Sequence, residues 1–411
     1  MTRKPEDRHY EFPEAPLFES KSEAEAFLYD LSRFGMKLGL SNIRELCRRH
    51  GDPQKGLRFL HVAGTNGKGS TCFFLESLLC AHGQRVGAFA SPHLQHIGER
   101  VRVDGVFLSE EDLARWVSLV RKDLEELRAT FFEAMTLIAL LHFAEKKVDW
   151  VAWETGLGGR YDSTRVVEPA LTCITRIGLD HTKYLGSTLE EIARDKLGIA
   201  RPGVPLYTAQ EEGRLLDYMH SKASDAGVEL ISVPSLDLPA LPEFQRGNAA
   251  LALRMLGDLD LLPEDAESVL LSTALPGRFE VLREDPLFVV DGAHNPQALS
   301  AVLAEWSHRV STSQGTVIFG CSADKEVEGL LDLLLECGSR IVLSQARNPR
   351  SLPASELYER AGRPEGWQLS AGLEEALGLL GSEEPVLVTG SFYLAGEGRY
   401  FGLPGTGFPP A

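Results

Sequence analysis

The sequence predicts an α/β protein with two domains, each built around a mainly parallel sheet. Its 411 residues exceed what one hydrophobic core usually supports, which favours two or occasionally three domains. Short apolar runs alternate with helix-like segments, a pattern typical of βαβ units with right-handed crossovers. A glycine-rich run from His61 to Thr71 lies between one such strand and the helix after it. We expect the first domain over residues 1–275 and the second over residues 276–411.

The first series of elements begins with two short amphipathic helices within residues 22–50. The elements expected next are a strand over 57–62, a helix over 71–82, a strand over 84–90, helices near 109–127 and 131–146, strands over 148–154 and 170–176, a helix over 188–199 and a strand near 204–208. The strands on either side of helix 71–82 are expected to close a βαβ unit.

The second series follows a proline- and leucine-rich stretch over 230–244, a helix-like segment to about 256 and a second linker-like region that ends at 277. Its expected elements are strands over 287–291, 316–320, 339–344 and 386–389, with helices over 296–309 and 326–335. Residues 401–411 are dense in glycine and proline and are expected to form a loose tail.

The composition excludes several classes of partner. The formal net charge of −17 repels polyanions, so neither nucleic acid nor an anionic membrane is an expected partner. No window approaches the roughly 18 to 20 uninterrupted apolar residues of a membrane span. Because the charged N-terminus lacks the pattern of a secretory signal, we expect a cytoplasmic protein. The six cysteines form no C-x-x-C pair, which argues against a zinc site and a disulfide framework.

The glycine-rich run predicts a phosphate-binding loop, with a glycine-rich turn that binds nothing as the alternative. Between a strand and a helix, backbone N–H groups and the positive helix end converge on an anion. Lys68 can neutralise the outer phosphates, and the hydroxyl of Ser70 or Thr71 can bind Mg²⁺. The fit to G-x-x-x-x-G-K-[ST] is imperfect, because Val62 replaces the first glycine and Gly69 is inserted before the hydroxyl. The residues assigned to the nucleotide are Gly64, Thr65, Asn66, Gly67, Lys68, Gly69, Ser70 and Thr71.

The segment Gly64–Ser70 resembles the phosphate loop of the Mur ligase superfamily, in the variant found in the folylpolyglutamate synthase and dihydrofolate synthase family. Further segments match this family in the expected order. They are Gly51–Gln54, Ser91–Leu94, Glu99–Val101, Phe131–Glu133, Thr136–Leu137, Glu154–Arg160, Leu179–Thr182, Leu185–Gly186, Gly277–Glu280, Asp291–Pro296 and Gly390–Tyr393. Chance does not supply such a series, so the chain is identified as a member of the family.

The resemblance implies a P-loop ATPase domain followed by a smaller Rossmann-like domain that completes the ATP site and binds glutamate. It also implies an ATP- and Mg²⁺-dependent amide ligase that adds L-glutamate to dihydropteroate, to (tetrahydro)folate polyglutamates, or to both. The carboxylate attacks the γ-phosphate to give an acyl phosphate, which the amine of glutamate then attacks. Because family members are usually monomeric, a monomer is expected.

Four residues are expected to carry the chemistry: Lys68, Glu154, His181 and Lys196. Glu154 ends a predicted strand before a glycine-rich turn, and a carboxylate there can hold Mg²⁺. By resemblance, Ser91, Glu154 and His181 bind the metal together with Ser70. The family also has a lysine that carries a carbamate at the position of Lys196, although a lone helical lysine is more often a solvated charge.

The resemblance assigns further contacts to the substrates. Asn248, Arg278, Asp291 and His294 match residues that contact ATP or close its site, with a helix-surface amide as the alternative for Asn248. The residues expected to contact the pterin substrate are Ser91, Pro92, His93, Phe131, Phe132 and Asp162. As bare sequence, the two phenylalanines would more often be core residues.

Three residues that depart from the family pattern flank the substrate side of the expected metal site. Tyr161, Arg165 and Arg176 stand where Leu, Asn and Ser are common, which makes pterin specificity less secure than the ligase chemistry. Among the alternatives, a ligase of the same superfamily acting on another carboxylate remains open. A cell-wall muramoyl ligase needs about a hundred residues before the loop, and only about sixty precede it here. A P-loop kinase would not need the second domain. A non-catalytic scaffold would not need the polar residues that match the family, which are Lys68, Glu154, His181, Lys196 and Asp291.

Overall fold

The computed structural model describes residues 22–35, 39–310, 315–323 and 325–402. The chain divides into two compact units, Met1–Ala274 and Leu275–Ala411. Most of the predicted C-terminal tail, residues 403–411, lies outside the described residues. Within the described ranges, no helix is long and apolar enough to cross a membrane.

The first unit contains an eight-stranded sheet in the order β4-β3-β2-β5-β1-β6-β7-β8. Its strands are β1 Phe59–Ala63, β2 Val86–Phe89, β3 Val101–Val103, β4 Val106–Phe107, β5 Trp150–Glu154, β6 Pro169–Ile174, β7 Leu206–Thr208 and β8 Leu230–Ser232. All pairs are parallel except those that involve β3 and β4. The predicted βαβ unit therefore has the right direction, but β1 and β2 are not neighbours, because β5 lies between them.

Ten α-helices of this unit lie within the described residues. They are α1 Glu23–Asp30, α2 Ser41–Arg49, α3 Lys68–Ala81, α4 Glu110–Glu126, α5 Phe131–Lys146, α6 Thr182–Leu185, α7 Leu189–Lys196, α8 Arg214–Asp225, α9 Glu243–Gly257 and α10 Ala266–Ser272. Helix α3 begins three residues before the predicted start at Thr71, because Gly67 adopts a left-handed conformation and ends the loop there. Helix α5 has the predicted bounds, since Thr130 and Glu133 form a capping box at its start.

The sequence interpretation missed the antiparallel hairpin of β3 and β4. Its turn is Asp104–Gly105, and both residues have positive φ values, 53° and 81°. This is the Asp-Gly signature of a tight hairpin turn between β-branched residues, so a usable signal was present. The hairpin was missed because its strands are too short to show a clear alternation.

The second unit contains a six-stranded sheet in the order β13-β12-β11-β14-β10-β9, parallel except for β9. Its elements are β9 Glu280–Glu284, β10 Leu287–Val290, α11 Pro296–Arg309, β11 Thr316–Phe319, α12 Val327–Glu336, β12 Arg340–Leu343, α13 Ala354–Arg360, β13 Gln368–Leu369, α14 Leu373–Gly378, β14 Val386–Thr389 and α15 Phe392–Gly402. The mixed α/β class predicted from the sequence is confirmed. The edge strand β9 and the helices α13–α15 were not predicted.

A buried ion pair fixes α3, the helix that follows the phosphate loop, to the edge of the sheet. Arg102 on β3 donates from Nε and a terminal nitrogen to Oε2 of Glu76, at 2.9 and 2.7 Å. The second carboxylate oxygen accepts from Gly105 N at 3.1 Å, and the guanidinium carbon lies 4.1 Å from the ring centroid of Phe73. Both charged side chains are almost completely buried. The hairpin and α3 are therefore held together by one satisfied polar cluster.

We expect Glu76→Gln to lower the free energy of unfolding by about 3 to 5 kcal/mol, because it leaves the Arg102 charge buried without its counter-charge. Urea unfolding followed by circular dichroism measures the loss. The matched control is Glu145→Gln, whose partner Arg115 is 44% exposed, and it should cost less than about 1 kcal/mol. Equal losses in the two variants would contradict a structural role for the buried pair.

Candidate active site

Two glycines give the predicted phosphate loop its shape. Gly64 has φ 148° and Gly67 has φ 92°, and L side chains rarely adopt either value. A Cβ at Gly64 would lie 1.7 Å from the hydroxyl of Thr175, and one at Gly67 would lie 2.1 Å from Oδ1 of Asn248. The loop is therefore a close-fitting turn in which both positions require glycine.

The end of β6 holds the loop in place. The main-chain amides of Thr65 and Asn66 donate to the carbonyl oxygen of Arg176, at 3.0 and 3.4 Å. The Thr65 hydroxyl donates to the carbonyl of Gly178 at 3.0 Å, and the Thr175 hydroxyl donates to that of Asn66 at 2.6 Å. The loop is thus preformed by hydrogen bonds, and two of the amides assigned to phosphate already have a protein partner.

The N-terminus of α3 has no side-chain cap. By contrast, α4, α5, α7 and α11 are capped by Ser109, Thr130, Thr188 and Asn295. The first N–H groups of a helix have no partner within the helix, and its positive end attracts anions. At α3 these groups follow a glycine loop that admits a close approach, which is the arrangement that binds phosphate.

Two lysine ammonium groups donate to the same carbonyl oxygen in this loop. Nζ of Lys68 donates to the carbonyls of Gly64 and Thr65 at 3.1 and 3.0 Å. Nζ of Lys196, at the end of α7, donates to the Gly64 carbonyl at 2.7 Å. The Lys196 side chain is almost fully buried. Burial, followed by the charge of Lys68, lowers the pKa of Lys196 to about 7.

Glu154 lies beside the phosphate loop because of the strand register. It is the last residue of β5 and pairs with Val62 on β1, two residues before Gly64. Its side chain is 2% exposed, and Oε2 accepts from the main-chain amide of Ser91 at 3.0 Å. The Ser91–Pro92 peptide bond is cis. The structure thus joins Glu154 to Ser91 and places Glu154 on the strand beside the one that leads into the loop.

His181 precedes α6 and has a left-handed backbone, with φ 51°. Its main-chain amide donates to Oδ1 of Asp180 at 2.8 Å, and its side chain is partly exposed. The segment that carries it is tied to the loop by the bonds between Thr65 and Gly178. His181 thus follows a segment that is tied to the phosphate loop.

The donors present at this site fit a hard divalent cation. Glu154 offers a carboxylate and Ser70, on the first turn of α3, offers a hydroxyl, and both are buried. The hydroxyl of Thr71 is also buried and has no hydrogen-bond partner among the described residues. Such a buried hydroxyl can be satisfied by a bound ligand or by water. Oxygen donors of this kind are those that Mg²⁺ prefers.

The residues assigned to the pterin differ in what they contact. Phe131 stacks on Tyr29 with a centroid distance of 5.6 Å, and the Arg100 guanidinium lies 5.0 Å from its ring centroid. Nε of Arg100 donates to Nδ1 of His93 at 2.9 Å, so the His93 ring carries its proton on Nε2 and donates to the Tyr29 hydroxyl at 3.1 Å. These residues form an aromatic and polar wall.

Phe132 packs inward. Its ring lies 5.6 Å from that of Phe89, and a Cβ at Gly156 would lie 2.4 Å from it. The ring therefore fills the space under the glycine-rich turn after Glu154. Phe131 and Phe132 are both partly buried against the core, but only Phe131 also contacts Tyr29 and Arg100.

Asp162 stabilises a loop from within the protein. It is 7% exposed, and its carboxylate accepts from the amides of Leu157 and Thr164 at 2.8 and 3.0 Å. The Thr164 hydroxyl also donates to it in a short bond, so Nε2 of the buried His61 donates to that hydroxyl at 2.9 Å. Burial raises the pKa of the Asp162 carboxyl. The carboxylate is used to shape the turn between β5 and β6.

Asn248 is buried on α9, so it is not a helix-surface amide. Its Nδ2 donates to Oε1 of Gln245 at 2.9 Å and to the carbonyl of Phe244 at 3.2 Å. These bonds orient the side chain so that Oδ1 occupies the space that a Cβ at Gly67 would need. The Asn248 side chain therefore contacts the phosphate loop, and both belong to the first unit.

The second unit places its predicted residues around one turn after β10. Asp291 accepts from the amides of Phe279 and Ala293, both at 2.6 Å. Burial raises the pKa of its carboxyl to about 7. The Arg278 guanidinium lies 5.4 Å from the ring centroid of Phe392, and Nδ1 of His294 donates to the carbonyl of Gly292 at 2.7 Å. Arg278, Asp291 and His294 thus belong to one local cluster.

Several positioning residues were missed in the sequence. Glu99 accepts from the amides of Leu94, Gln95 and His96 at 2.6 to 2.7 Å and fixes the segment that carries His93. Asp195 accepts from the amide of Gly159 at 2.8 Å and fixes the turn after Glu154. Glu99 lies in a family motif and was therefore detectable. Tyr29 lies far away in sequence on α1, and no local pattern pointed to it.

Comparisons with known proteins agree with this arrangement. The Mur ligase middle domain matches residues 62–207, and the glutamate ligase domain of the Mur ligases matches residues 277–392. The chain therefore belongs to the Mur ligases, a class defined by these two domains.

Within this class, relatives identify the family. Dihydrofolate synthase/folylpolyglutamate synthase of Bacillus subtilis is 34% identical, with 93% of this chain and 99% of the relative covered. Escherichia coli FolC in complex with DHPP and ADP has a TM-score of 0.81 and 31% identity, covering 92% and 96% of the two chains. A bifunctional synthase with Mn, AMPPNP and L-glutamate bound has a TM-score of 0.79 and 30% identity, covering 92% and 97%. The chain is a member of the folylpolyglutamate synthase/dihydrofolate synthase family.

We expect Gly67→Ala to lose most nucleotide binding, because its methyl group would displace the Asn248 amide from the loop. Gly83→Ala is the matched control: Gly83 has φ 89°, and nothing lies within 4 Å of a Cβ there. Both variants carry a backbone strain of about 1 to 2 kcal/mol. Gly83 follows the far end of α3, so its variant controls for that strain outside the loop and without a clash. Calorimetric titration with ADP measures the difference. Equal affinities in the two variants would contradict the close fit at Gly67.

The stability of the protein should depend on the protonation of Lys196. Its pKa of about 7 lies below the ordinary value of 10.5, so the unfolded chain binds the extra proton between these pH values. The free energy of unfolding of the wild type, relative to Lys196→Met, should therefore rise by up to about 1.4 kcal/mol per pH unit above pH 7. Urea unfolding from pH 7.5 to 9 in CO₂-free buffer measures it. A constant difference would show that Lys196 titrates normally.

Proposed function

We propose that the protein adds L-glutamate to dihydropteroate, to (tetrahydro)folate polyglutamates, or to both, with ATP as the energy source. The observation that carries this proposal is the shared carbonyl of Gly64, which holds two ammonium groups beside an uncapped helix start and the Glu154 carboxylate. Family membership makes a folate the expected carboxylate. A Mur-type ligase for another carboxylate is the alternative that the assay below excludes.

The phosphates of ATP are proposed to occupy the loop Gly64–Thr71. The first amides of α3 and the ammonium group of Lys68 then supply the positive charge that a chain of net charge −17 otherwise lacks. Asn248 closes the loop at Gly67. Arg278, Asp291 and His294 of the second unit are assigned to the nucleotide and its ribose. This second unit is also proposed to bind glutamate.

Mg²⁺ would be held by Glu154, Ser70, Ser91 and His181. When bound, the cation neutralises charge on the phosphate oxygens. The Ser91 main chain keeps the Glu154 carboxylate in place, so the acid does not have to reorganise when a cation binds. Glu154 would therefore hold the cation from a position already fixed by Ser91.

The reaction is proposed to proceed in two steps. A carboxylate oxygen of the pterin substrate attacks the γ-phosphorus of ATP, the bond to ADP breaks, and an acyl phosphate results. The amine of glutamate then attacks the acyl carbon and inorganic phosphate leaves. Negative charge accumulates on the transferred group, so the residues act mainly by positioning and by electrostatic stabilisation. Lys68 and the α3 amides are placed for that role.

Lys196 is proposed to act as a carbamate. Only a neutral amine can attack CO₂, and a pKa of about 7 makes the neutral form abundant at physiological pH. Carbamylation would replace a buried ammonium beside Lys68 with an anion and would remove the repulsion between the two lysines. The product would be a second carboxylate near Glu154, suited to a cation.

The pterin is proposed to lie against Phe131 and His93, with Ser91 and Pro92 at its edge. Phe132 and Asp162 are then supports of that slot. The Arg100 guanidinium above Phe131 fixes the ring and the His93 tautomer together. The protein is further proposed to act as a cytoplasmic monomer on small-molecule substrates.

The decisive test measures ADP release with ATP, Mg²⁺ and L-glutamate in the presence of dihydropteroate or tetrahydrofolate. Release with at least one of them is expected, and the pattern separates first-glutamate addition from chain extension. Lys68→Ala should lower kcat by at least about 10²-fold while the fold is retained, since it removes charge stabilisation of the transferred phosphoryl group. Circular dichroism checks the fold.

Lys55→Ala is the matched control, because Lys55 is exposed and pairs only with the nearby Asp52 among the described residues. Its kcat should equal that of the wild type. Absence of ADP release with both folates would refute the folate assignment, and near-normal turnover of Lys68→Ala would remove the loop from the mechanism.

A further inference from the structure

Four arginines form a cluster on the first unit, in a chain whose formal net charge is −17. The arginine cluster consists of Arg44 on α2, Arg160 after the glycine-rich turn, Arg165 on the short helical turn Ser163–Val166, and Arg201 after Leu197–Ile199. None of them belongs to the active site described above. Their proximity needs an explanation, because like charges repel.

Gly198 brings three of them together. Its carbonyl oxygen accepts from Nε of Arg165 at 2.6 Å and from a terminal nitrogen of Arg201 at 3.5 Å. A Cβ at Gly198 would lie 2.4 Å from the α-carbon of Arg160, so the two backbones are in contact. Arg201 also donates to the Arg165 carbonyl at 3.0 Å. The cluster is therefore built by main-chain packing.

The fourth member, Arg44, reaches the cluster because α2 packs against the turn Ser163–Val166. Its charge acts on both Arg165 and Arg201. Burial is the main cause of the lowered pKa of Arg165, and the neighbouring arginine charges lower it further. The four guanidinium groups thus share one electrostatic environment.

The acidic groups nearby offset the charge of the cluster only in part. Glu168 lies 3.5 Å from Nε of Arg201 and its charge acts on Arg165 as well, but its side chain is 87% exposed, so solvent screens both interactions. Asp195 uses its carboxylate for the Gly159 amide. Arg44, Arg160 and Arg165 form no ion pair within the described ranges of the chain. Arg201 is saturated by main-chain carbonyls, so Arg44, Arg160 and the outer nitrogens of Arg165 are the groups that can bind a ligand.

The cluster adjoins the proposed active site through the chain itself. Arg160 directly follows Gly159, where a Cβ would lie 2.7 Å from the carbonyl oxygen of Lys196. The Lys196 ammonium in turn contacts the phosphate loop. An extended substrate that leaves the reaction centre past this turn would meet Arg160 first, followed by the partly buried Arg165.

We propose that the arginine cluster binds the α-carboxylates of a poly-γ-glutamyl tail on the folate substrate. Resting on the proposed function, this inference adds a binding site for the part of the substrate that grows. Each added glutamate brings one free carboxylate, and guanidinium groups bind carboxylates with paired N–H donors. The negative surface of the rest of the chain repels such a tail, so a local positive site is needed to retain it.

The test compares KM for folates that carry one and three glutamates in the wild type and in the double variant Arg44→Gln/Arg160→Gln. Both side chains are exposed and neither forms an ion pair with the part of the chain that the structure describes, so the fold should be retained. The ratio of KM for the triglutamate to KM for the monoglutamate should rise roughly tenfold, or about threefold per arginine. In the wild type, added salt should raise the triglutamate KM more than the monoglutamate KM.

Arg214→Gln is the matched control, since Arg214 is an exposed arginine at the start of α8 and forms no ion pair among the described residues; its KM ratio should equal that of the wild type. An unchanged ratio in the double variant would overturn the proposal, as would a wild type that accepts only the monoglutamate. Inhibition by inorganic phosphate that disappears in the double variant, with an unchanged ratio, would assign the cluster to phosphate and likewise overturn it. Failure of the proposed function differs from all of these, because no folate would then cause ADP release.

Discussion

The carbonyl oxygen of Gly64 is the point on which the site depends. It accepts from Lys68 and Lys196, which come from α3 and α7, and it belongs to a turn that only glycine can form. Burial lowers the pKa of Lys196, and the neighbouring charge of Lys68 lowers it further. Phosphate binding or carbamylation would each reduce the repulsion between the two lysines.

The strand order of the sheet places other functional residues beside this loop. Because β1 lies between β5 and β6, the loop after β1 meets Glu154 on one side and the Thr175–Gly178 segment on the other. Parallel strands present their carboxyl ends at one edge, where ligands of α/β proteins bind. The interior order of the strands therefore determines which side chains can act together, even when they are distant in sequence.

Much of this could be predicted from the sequence, and the exceptions have physical causes. The bounds of α5 and α11 were predicted correctly, because a capping box and an Asn-Pro start mark them. Asn248 was assigned to the nucleotide only through family resemblance, and its position beside Gly67 was not predicted, since a buried amide on a helix leaves no local pattern. Tyr29 was missed because its contact with Phe131 depends on how α1 packs.

The anchor of the phosphate loop at residue 176 does not depend on the side chain at that position. The phosphate loop is anchored to the main-chain carbonyl of Arg176, while the Arg176 side chain forms an ion pair with the exposed Glu211. Any residue supplies the same carbonyl, so this position can accept new side chains without loosening the loop. Residue 176 is thus a tolerant position within a constrained site, where descendants can exchange a surface charge while the geometry of the loop is inherited unchanged.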